Sequence, residues 1–170
     1  DQIGGLDRIY DVVQAPVRCH PKLVKKLASM VGADVVVPLK SREMLRTGGD
    51  AAVQAIFTPG HEVDHVAFHL QADHILFTGD CVLGASSTTV RDLASYMQSL
   101  QLLTTYPHDT ICPGHGPVVL PPRGADLIRW YMHHREEREP GGHADDRRET
   151  VVERVEELRT AALRRPDRRS

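Results

Sequence analysis

The sequence predicts an α/β fold, because helix-like and strand-like patterns alternate along its 170 residues. In residues 6–13 apolar side chains recur every three or four positions, which is the spacing of an amphipathic helix. In residues 66–70 the side chains alternate, as in a strand with one face in a core. Several strand-like runs also end near a glycine that is followed by histidine or aspartate. We therefore expect helices around a sheet, with polar side chains collected at one edge.

The first third of the chain predicts two helices and three extended runs. The helix of residues 6–13 is followed by a short extended run at residues 15–20. Pro21 can open a second helix, because proline is favoured at the first helical position, and Gly32 ends it. Two strands follow, one closed by Pro38 and one after a Gly-Gly-Asp turn, and they cover residues 35–37 and 51–58.

The middle of the chain predicts a hairpin and then a capped helix. Residues 66–70 and 75–77 are expected to pair as a hairpin with one face in the core. A polar loop begins at Gly84, and residues 89–92 fit a capping box with Thr89 as the N-cap. The helix behind it has apolar residues at steps of three and four, and a short strand follows it at residues 110–112.

The C-terminal part is expected to be helical. Residues 125–139 have a helical pattern that ends at a Pro-Gly-Gly break, and a second capping box opens another helix near residue 150. The last seven residues form a charged tail that we expect to be disordered. We accordingly predict one domain over residues 1–122 and a helical extension over residues 123–170.

Composition limits the classes of function that are open to the chain. The 41% apolar and 26% charged residues are typical of a globular protein, and the length suits a single core. No apolar run approaches the roughly 20 residues of a membrane-spanning helix, so we expect no membrane partner. The net charge of -2 means that nucleic-acid binding would depend on a local patch.

The three cysteines, Cys19, Cys81 and Cys112, lie far apart and form no Cys-x-x-Cys pair. They predict neither a disulfide framework nor a cysteine-rich zinc site. Buried thiols in a reducing compartment are favoured, so we expect a protein of the cytoplasm or the mitochondrial matrix. The chain begins at Asp1 rather than methionine and has no signal-like start, and we expect it to be a fragment of a longer protein.

Three polar side chains at strand ends form the candidate metal edge: His61, Asp80 and His115. Each comes directly after a glycine, which lets the backbone turn sharply. Imidazole and carboxylate groups gathered from several strand ends are ligands of zinc and related metals. A lone loop histidine is more often a surface residue, but here the aspartate lies between two histidines in the sequence. That order is consistent with a carboxylate that bridges two metal ions.

The motifs around these residues resemble the later metal motifs of the metallo-β-lactamase superfamily. They are Thr-Pro-Gly-His at residues 58–61, Thr-Gly-Asp at 78–80 and Pro-Gly-His-Gly at 113–116. The resemblance covers residues 1–117 and implies an αβ/βα sandwich with two zinc ions at one edge of its sheets. This chain would be the C-terminal half of that sandwich.

The resemblance narrows to the lactamase-beta-2 type of endoribonuclease, which cuts single-stranded RNA with zinc. It is carried by the segment after Asp80, by residues 96–100 and by a His-Arg-x-x-Arg-Glu segment at residues 134–139. Glyoxalase II, a thioester hydrolase of the same superfamily, is the alternative, although its glycine- and arginine-rich segment is not seen. A third alternative is a non-catalytic fragment or pseudoenzyme.

The first metal motif of the superfamily, His-x-His-x-Asp-His, is represented here only by Asp1 and Gln2. Asp1 matches the aspartate, whereas Gln2 occupies the place of the last histidine and is a weak zinc ligand. The resemblance implies that one metal site keeps His61 and Asp80, and that the other keeps Asp1, Asp80 and His115. Asp1 would orient the attacking water or take its proton, so Asp1 and Asp80 are the expected catalytic residues.

Four further residues have two interpretations each. Asp64 and His65 could orient a metal ligand, or they could belong to an ordinary polar turn. His134 and Arg135 could bind an RNA backbone or a substrate carboxylate, or they could lie on a solvated helix face with the glutamates beside them.

Other histidines are expected to have no role in the site. We expect His69 and His74 to be exposed and His20 to be structural. The expected partners are single-stranded RNA or a small ester or thioester. Because half a sandwich exposes apolar faces and unpaired strand edges, we also expect the isolated chain either to be poorly soluble or to form a homodimer.

Overall fold

The computed structural model describes residues 3–48, 51–84 and 88–136. Asp1, Gln2, the helix predicted near residue 150 and the C-terminal tail lie outside the described residues. The described helices are α1 (Leu6–Val13), α2 (Val24–Val31), α3 (Leu93–Thr104) and α4 (Gly124–Glu136). The strands are β1 (Val17–Cys19), β2 (Val36–Pro38), β3 (Met44–Gly48), β4 (Ala51–Phe57), β5 (Val66–Leu70), β6 (Ile75–Gly79) and β7 (Thr110–Pro113). The predicted α/β class is confirmed.

A five-stranded mixed sheet in the order β3-β4-β5-β6-β7 is the centre of the fold. Neighbouring strands of this sheet are antiparallel except β6 and β7, which run parallel. Helix α3 connects β6 to β7 in the sequence. Since β4 and β6 are each antiparallel to β5, the strands β4, β6 and β7 point the same way. Their carboxyl ends therefore meet at one edge of the sheet, which is where the candidate metal edge follows them in the sequence.

The main core lies between this sheet and the two longer helices. Strand residues such as Ile56, Leu76 and Ile111 are fully buried against residues of α3 and α4, including Leu100 and Leu127. Because α4 belongs to the same core as the sheet, its first half packs as part of the main unit. The domain boundary at residue 122 stays a prediction.

A second, smaller layer is built from the N-terminal elements. Strands β1 and β2 pair in parallel, and α2 connects them. Of the described residues, Cys19, Leu27 and Val36 are the buried members of the cluster between them. Within the described ranges, no helix is both long enough and apolar enough to cross a membrane.

Most predicted elements agree with the structure, and the differences have physical causes. Pro21 opens a 3-10 turn, Pro21–Leu23, and α2 begins only at Val24 and ends at Gly32. The strand β3 was not predicted. Among the described strands it pairs with β4 alone, at the edge of the sheet, and its largely exposed residues give no apolar alternation.

The prediction that His69 is exposed is wrong, since only 2% of its surface is accessible. Its Nε2 lies 2.8 Å from the carbonyl oxygen of Pro107, and its ring meets Tyr106 edge-on at 5.3 Å between ring centres. The buried face of β5 is thus formed by Ala67 and His69, and the polar ring is accommodated because its nitrogen is hydrogen-bonded.

The predicted cap at Thr89 is also wrong. The N-cap of α3 is Asp92, whose side chain accepts a hydrogen bond from the backbone N–H of Ser95 at 3.2 Å. The helix starts late because the backbone amides of Arg91 and Asp92 donate to the carbonyl of Gly60. The segment before α3 is therefore held against the loop that carries His61.

Candidate metal edge

His61 and His115 converge on the carboxylate of Asp80. The Nε2 atom of His61 lies 3.7 Å from Oδ2 of Asp80, and Nε2 of His115 lies 3.6 Å from Oδ1. The three side chains follow β4, β6 and β7, so the parallel direction of these strands brings them together. Backbone bonds join the loops further, because Gly114 donates to Gly79 and Gly84 donates to His115.

The distances between Asp80 and the two histidines fit ligands of a common metal ion better than direct hydrogen bonds. A nitrogen and an oxygen 3.6 Å apart are beyond hydrogen-bond distance. Two ligands of one zinc ion, each about 2.1 Å from it, lie about 3.4 Å apart in a tetrahedral arrangement. In addition, Oδ1 of Asp80 is buried and accepts no hydrogen bond within the described part of the chain. A cation would satisfy this oxygen, so the donors present fit a metal ion.

The described residues do not make a complete metal site. In the ranges 3–48, 51–84 and 88–136, no three His, Cys, Asp or Glu side chains are placed so that they could hold one ion. Each histidine pairs with a different oxygen of Asp80, so each side of the carboxylate offers two ligands. The other predicted ligand, Asp1, lies outside the described residues.

The ring of His61 is fixed through its second nitrogen. Nδ1 lies 2.7 Å from the carbonyl oxygen of Thr89 and 3.0 Å from Oγ1 of Thr88. A carbonyl only accepts hydrogen bonds, so this network assigns the ring proton to Nδ1. The lone pair of Nε2 then faces Asp80, as a metal-binding imidazole requires. The sequence around Thr89 indicated a helix cap and contains no signal for this contact with His61.

His65 contacts the backbone of Asp80 rather than its carboxylate. Its Nε2 accepts a hydrogen bond from the amide of Asp80 at 3.2 Å, and its Nδ1 lies 2.7 Å from Oγ1 of Thr58. Burial lowers the pKa of His65 to about 4, so the ring is neutral and can accept at Nε2. These contacts give His65 a means of positioning Asp80, which is one of the two roles that the sequence suggested.

Two glycines, Gly60 before His61 and Gly79 before Asp80, cannot be replaced by a larger residue without a steric clash at Cβ. Gly60 has a φ of +133°, and a Cβ there would lie 2.4 Å from Cα of Tyr96. Gly79 has a φ of +50°, and its Cβ would lie 2.7 Å from Nε2 of His65. The missing side chains therefore allow α3 and the ring of His65 to approach the edge closely.

The segment after Asp80 is held by hydroxyl groups that sequence analysis missed. Tyr96 donates to the carbonyl of Cys81 at 2.7 Å, and the hydroxyl of Tyr131 lies 3.2 Å from both backbone groups of Leu83. Burial raises the pKa of Tyr131 to about 12, so its hydroxyl keeps its proton. Helical spacing indicated core positions for these tyrosines, but it contains no signal for the partner of a hydroxyl.

The remaining predicted residues have different surroundings. Asp64 lies on the wall of the cavity beside the edge. His134 stacks on Trp130 of the same helix, with 4.8 Å between ring centres. Arg135 donates a hydrogen bond to the backbone carbonyl of Thr88, and its guanidinium carbon lies 5.7 Å from the centre of the Tyr96 ring. Arg135 therefore contacts the loop that binds His61.

A cavity of about 650 Å³ lies beside the edge, between the sheet and the N-terminal layer. One part of its wall is polar and includes His61, His65 and Asp80. Another part is mainly apolar and comes from α1, α2 and the residues before them, including Ile3, Leu6, Ile9, Leu23 and Leu27. The site thus has room for a small substrate or for one part of a larger one.

Comparison with known proteins identifies relatives by sequence. The family model described as the Metallo-beta-lactamase superfamily matches residues 1–115. The chain is 42% identical over 139 residues to the Beta-lactamase-like protein 2 homolog of Caenorhabditis elegans, covering 82% of this chain and 46% of that protein. The homolog of the same name from Drosophila melanogaster is 39% identical over 148 residues, with coverage of 82% and 48%. The chain therefore spans about half the length of these relatives.

A shorter match is to the Atrochrysone carboxyl ACP thioesterase of Aspergillus fumigatus, 49% identical over 69 residues, covering 41% of this chain and 22% of that protein. Among solved structures, an archaeal metallo-beta-lactamase superfamily protein from Sulfolobus tokodaii aligns with a TM-score of 0.62 at 19% identity, covering 94% of this chain and 72% of its own. The B3 metallo-beta-lactamase BLEG-1 aligns with a TM-score of 0.63 at 24% identity, with coverage of 78% and 72%. At these identities the structures show a shared fold.

Proposed function

Because the chain belongs to the metallo-beta-lactamase superfamily, we propose that it forms part of a metal-dependent hydrolase that cleaves single-stranded RNA. The observation that carries the proposal is the convergence of two imidazole nitrogens on the two oxygens of one carboxylate, that of Asp80. The support for RNA comes from the motifs after Asp80, which resemble the lactamase-beta-2 type of endoribonuclease. The names of the two animal relatives, Beta-lactamase-like protein 2 homolog, state no substrate.

We propose zinc as the metal. His61 and Asp80 would hold one ion, and Asp80 and His115, together with Asp1, would hold a second. A bound ion would lower the pKa of a water molecule and polarise the phosphoryl or carbonyl group under attack. Imidazole and carboxylate ligands also suit iron, and the fold occurs in a flavodiiron protein from Giardia intestinalis at 18% identity. The metal content of the purified protein distinguishes zinc from iron.

The chain's own residues would keep the carboxylate and the rings in place. His65 accepts from the amide of Asp80 and so fixes the backbone from which the carboxylate projects. The carbonyl of Thr89 holds the proton of His61 on Nδ1 and leaves Nε2 available as a ligand. Asp1 would orient water or accept its proton, as the family motif implies.

Thioester hydrolysis is the second candidate, and one observation favours it. Over the 69 residues that match the fungal thioesterase the identity is 49%. This is higher than the identity to either animal relative over its longer match. The cavity beside the edge also has an apolar wall that an acyl chain could contact. The same metal chemistry would serve both reactions, because each begins with attack by water on an electrophilic centre.

A direct comparison of two substrates tests the proposal. The purified chain should cleave a fluorescent single-stranded RNA and should leave S-lactoylglutathione intact, and the Asp80→Ala variant should lose the RNA activity. Elemental analysis of the same samples should find zinc in the wild type. Thioester cleavage without RNA cleavage would favour the second candidate, and a chain with neither activity nor metal would be a non-catalytic fragment or pseudoenzyme.

We also propose a reducing compartment, the cytoplasm or the mitochondrial matrix, as the location of the protein. All three cysteines are free thiols, and two of them, Cys19 and Cys81, are buried. Burial raises the pKa of Cys81 to about 12, which keeps this thiol protonated and unreactive.

A further inference from the structure

The last turn of α4 contacts Thr88, which belongs to the segment that is hydrogen-bonded to the ring of His61. Arg135 donates a hydrogen bond from Nη2 to the backbone carbonyl of Thr88, 47 residues earlier in the chain. Its guanidinium carbon also lies 5.7 Å from the centre of the buried Tyr96 ring. A guanidinium group can stack on an aromatic ring and donate at its edge at the same time, which a lysine ammonium cannot do in the same way.

The segment that Arg135 binds is the one that orients His61. Thr88 is 5% exposed, and its Oγ1 lies 3.0 Å from Nδ1 of His61. The next carbonyl, that of Thr89, lies 2.7 Å from the same nitrogen. A shift of this segment would remove both acceptors of the Nδ1 proton. The His61 ring could then rotate or change its tautomer, and Nε2 would no longer be held towards Asp80.

We propose that Arg135 and Thr88 are positioning residues that fix the orientation and the tautomer of His61. The inference rests on the proposed function, because it treats His61 as a metal ligand. It assigns Arg135 a role different from RNA contact, since the donor group seen in the structure binds protein backbone. It would also connect α4, which follows the last metal motif in the sequence, to the orientation of His61.

Metal affinity is the first test, on the full 170-residue chain. The variants are Arg135→Ala, Arg135→Lys and Thr88→Val. Arg129→Ala is the matched control, because Arg129 lies on the same helix with a side chain 70% exposed and pairs only with Asp126 among the described residues. Loss of an outer partner of a ligand costs about 10- to 100-fold in metal affinity. Zinc binding measured against a chromophoric chelator should weaken about 10-fold in Arg135→Ala and Thr88→Val, less in Arg135→Lys, and not in the control.

The second test uses no metal. Histidine ring ¹⁵N spectra of the metal-free chain, with the His61 signals assigned from a His61→Gln variant, report which nitrogen carries the proton. The wild type and Arg129→Ala should show His61 protonated at Nδ1, whereas Arg135→Ala should show a mixture of tautomers. If Arg135→Ala unfolds, Arg135→Lys and Thr88→Val provide the same comparison.

The results separate this inference from the proposed function. A wild-type chain that binds no zinc would contradict the metal-dependent function, and the ring spectra would still decide the role of Arg135. If zinc affinity and the His61 spectrum of the folded Arg135 and Thr88 variants equal those of Arg129→Ala, the positioning role is wrong.

Discussion

At the scale of single residues, the contacts of the candidate metal edge converge on Asp80. Two histidines face its carboxylate oxygens, and a third, His65, accepts from its amide. Its Oδ1 is buried and receives no hydrogen bond from the described residues, which is costly for a carboxylate that has no cation beside it. The negative charge of Asp80 should therefore favour metal binding but lower the stability of the metal-free fold.

Replacing Asp80 by asparagine should separate these demands. The amide has nearly the same shape but no charge, so the variant should lose bound zinc while its metal-free form stays as stable as the metal-free wild type or becomes more stable. Elemental analysis and calorimetry of both forms measure the two effects. Retention of zinc by Asp80→Asn would contradict the assignment of Asp80 as a ligand.

Gly60→Ala should be more destabilising than an alanine at a glycine without neighbours. At Gly60 a Cβ would lie 2.4 Å from Cα of Tyr96, so the backbone of α3 would have to move. Gly48 is the matched control, because its φ of +106° is also positive but a Cβ there meets none of the described residues within 4 Å. The expected difference in free energy of unfolding is about 1–3 kcal/mol, measured by urea denaturation. Equal losses in the two variants would show that backbone strain alone matters.

Residue patterns named the three side chains that the structure brings together at the candidate edge, and their role in metal binding stays a prediction. The same patterns did not indicate the contacts that support these side chains. His61, Asp80 and His115 were found because each follows a glycine at a strand end, and that pattern depends only on local sequence. The contacts of Thr88, Tyr96 and Tyr131 were missed, since they join groups that are distant in the chain. The same limit explains His69, whose burial depends on a carbonyl 38 positions away.

At the scale of elements, the direction of the strands creates the site. The carboxyl ends of β4, β6 and β7 meet because β4 and β6 both run antiparallel to β5. The sequence predicted most of these strands, but the order of the sheet requires long-range pairing that periodicity does not contain. The edge strand β3 was not predicted for a related reason. A strand at the edge of a sheet can pair on its one side with little apolar alternation in its sequence.

Helix α4 should contribute to the site through Tyr131. Its hydroxyl lies 3.2 Å from the amide and the carbonyl of Leu83, and both residues are buried. Tyr131→Phe would leave these backbone groups without that partner, so it should lower the free energy of unfolding by about 1–3 kcal/mol. The control is Tyr106→Phe, since the ring of Tyr106 packs on the same core but no hydrogen bond of its hydroxyl is seen in the described part of the chain. Thermal unfolding that gives equal losses would argue against a role for the Tyr131 hydroxyl.

At the scale of the whole molecule, the two layers are unequal. Among the described residues, the sheet with α3 and α4 has a continuous core, whereas the cluster of the N-terminal layer contains three buried residues. Helix α1 has no buried residue, and Val12 and Val13 on it are 84% and 61% exposed. These exposed apolar side chains make α1 the part of the described structure on which another protein surface would be expected to pack.

We propose that a second copy of the chain covers α1 in solution, because Val12 and Val13 are exposed on this helix and half a sandwich was expected to expose apolar faces. Light scattering should then give the mass of a dimer for the wild type. The double variant Val12→Glu/Val13→Glu should shift the mass to that of a monomer, because association would bury two carboxylates without partners. Arg8→Glu introduces the same side chain at an already polar, exposed position of α1, so it should leave the dimer intact. A wild-type chain that is monomeric at every concentration would exclude self-association, and apolar exposure on α1 would then have to be tolerated by the isolated chain.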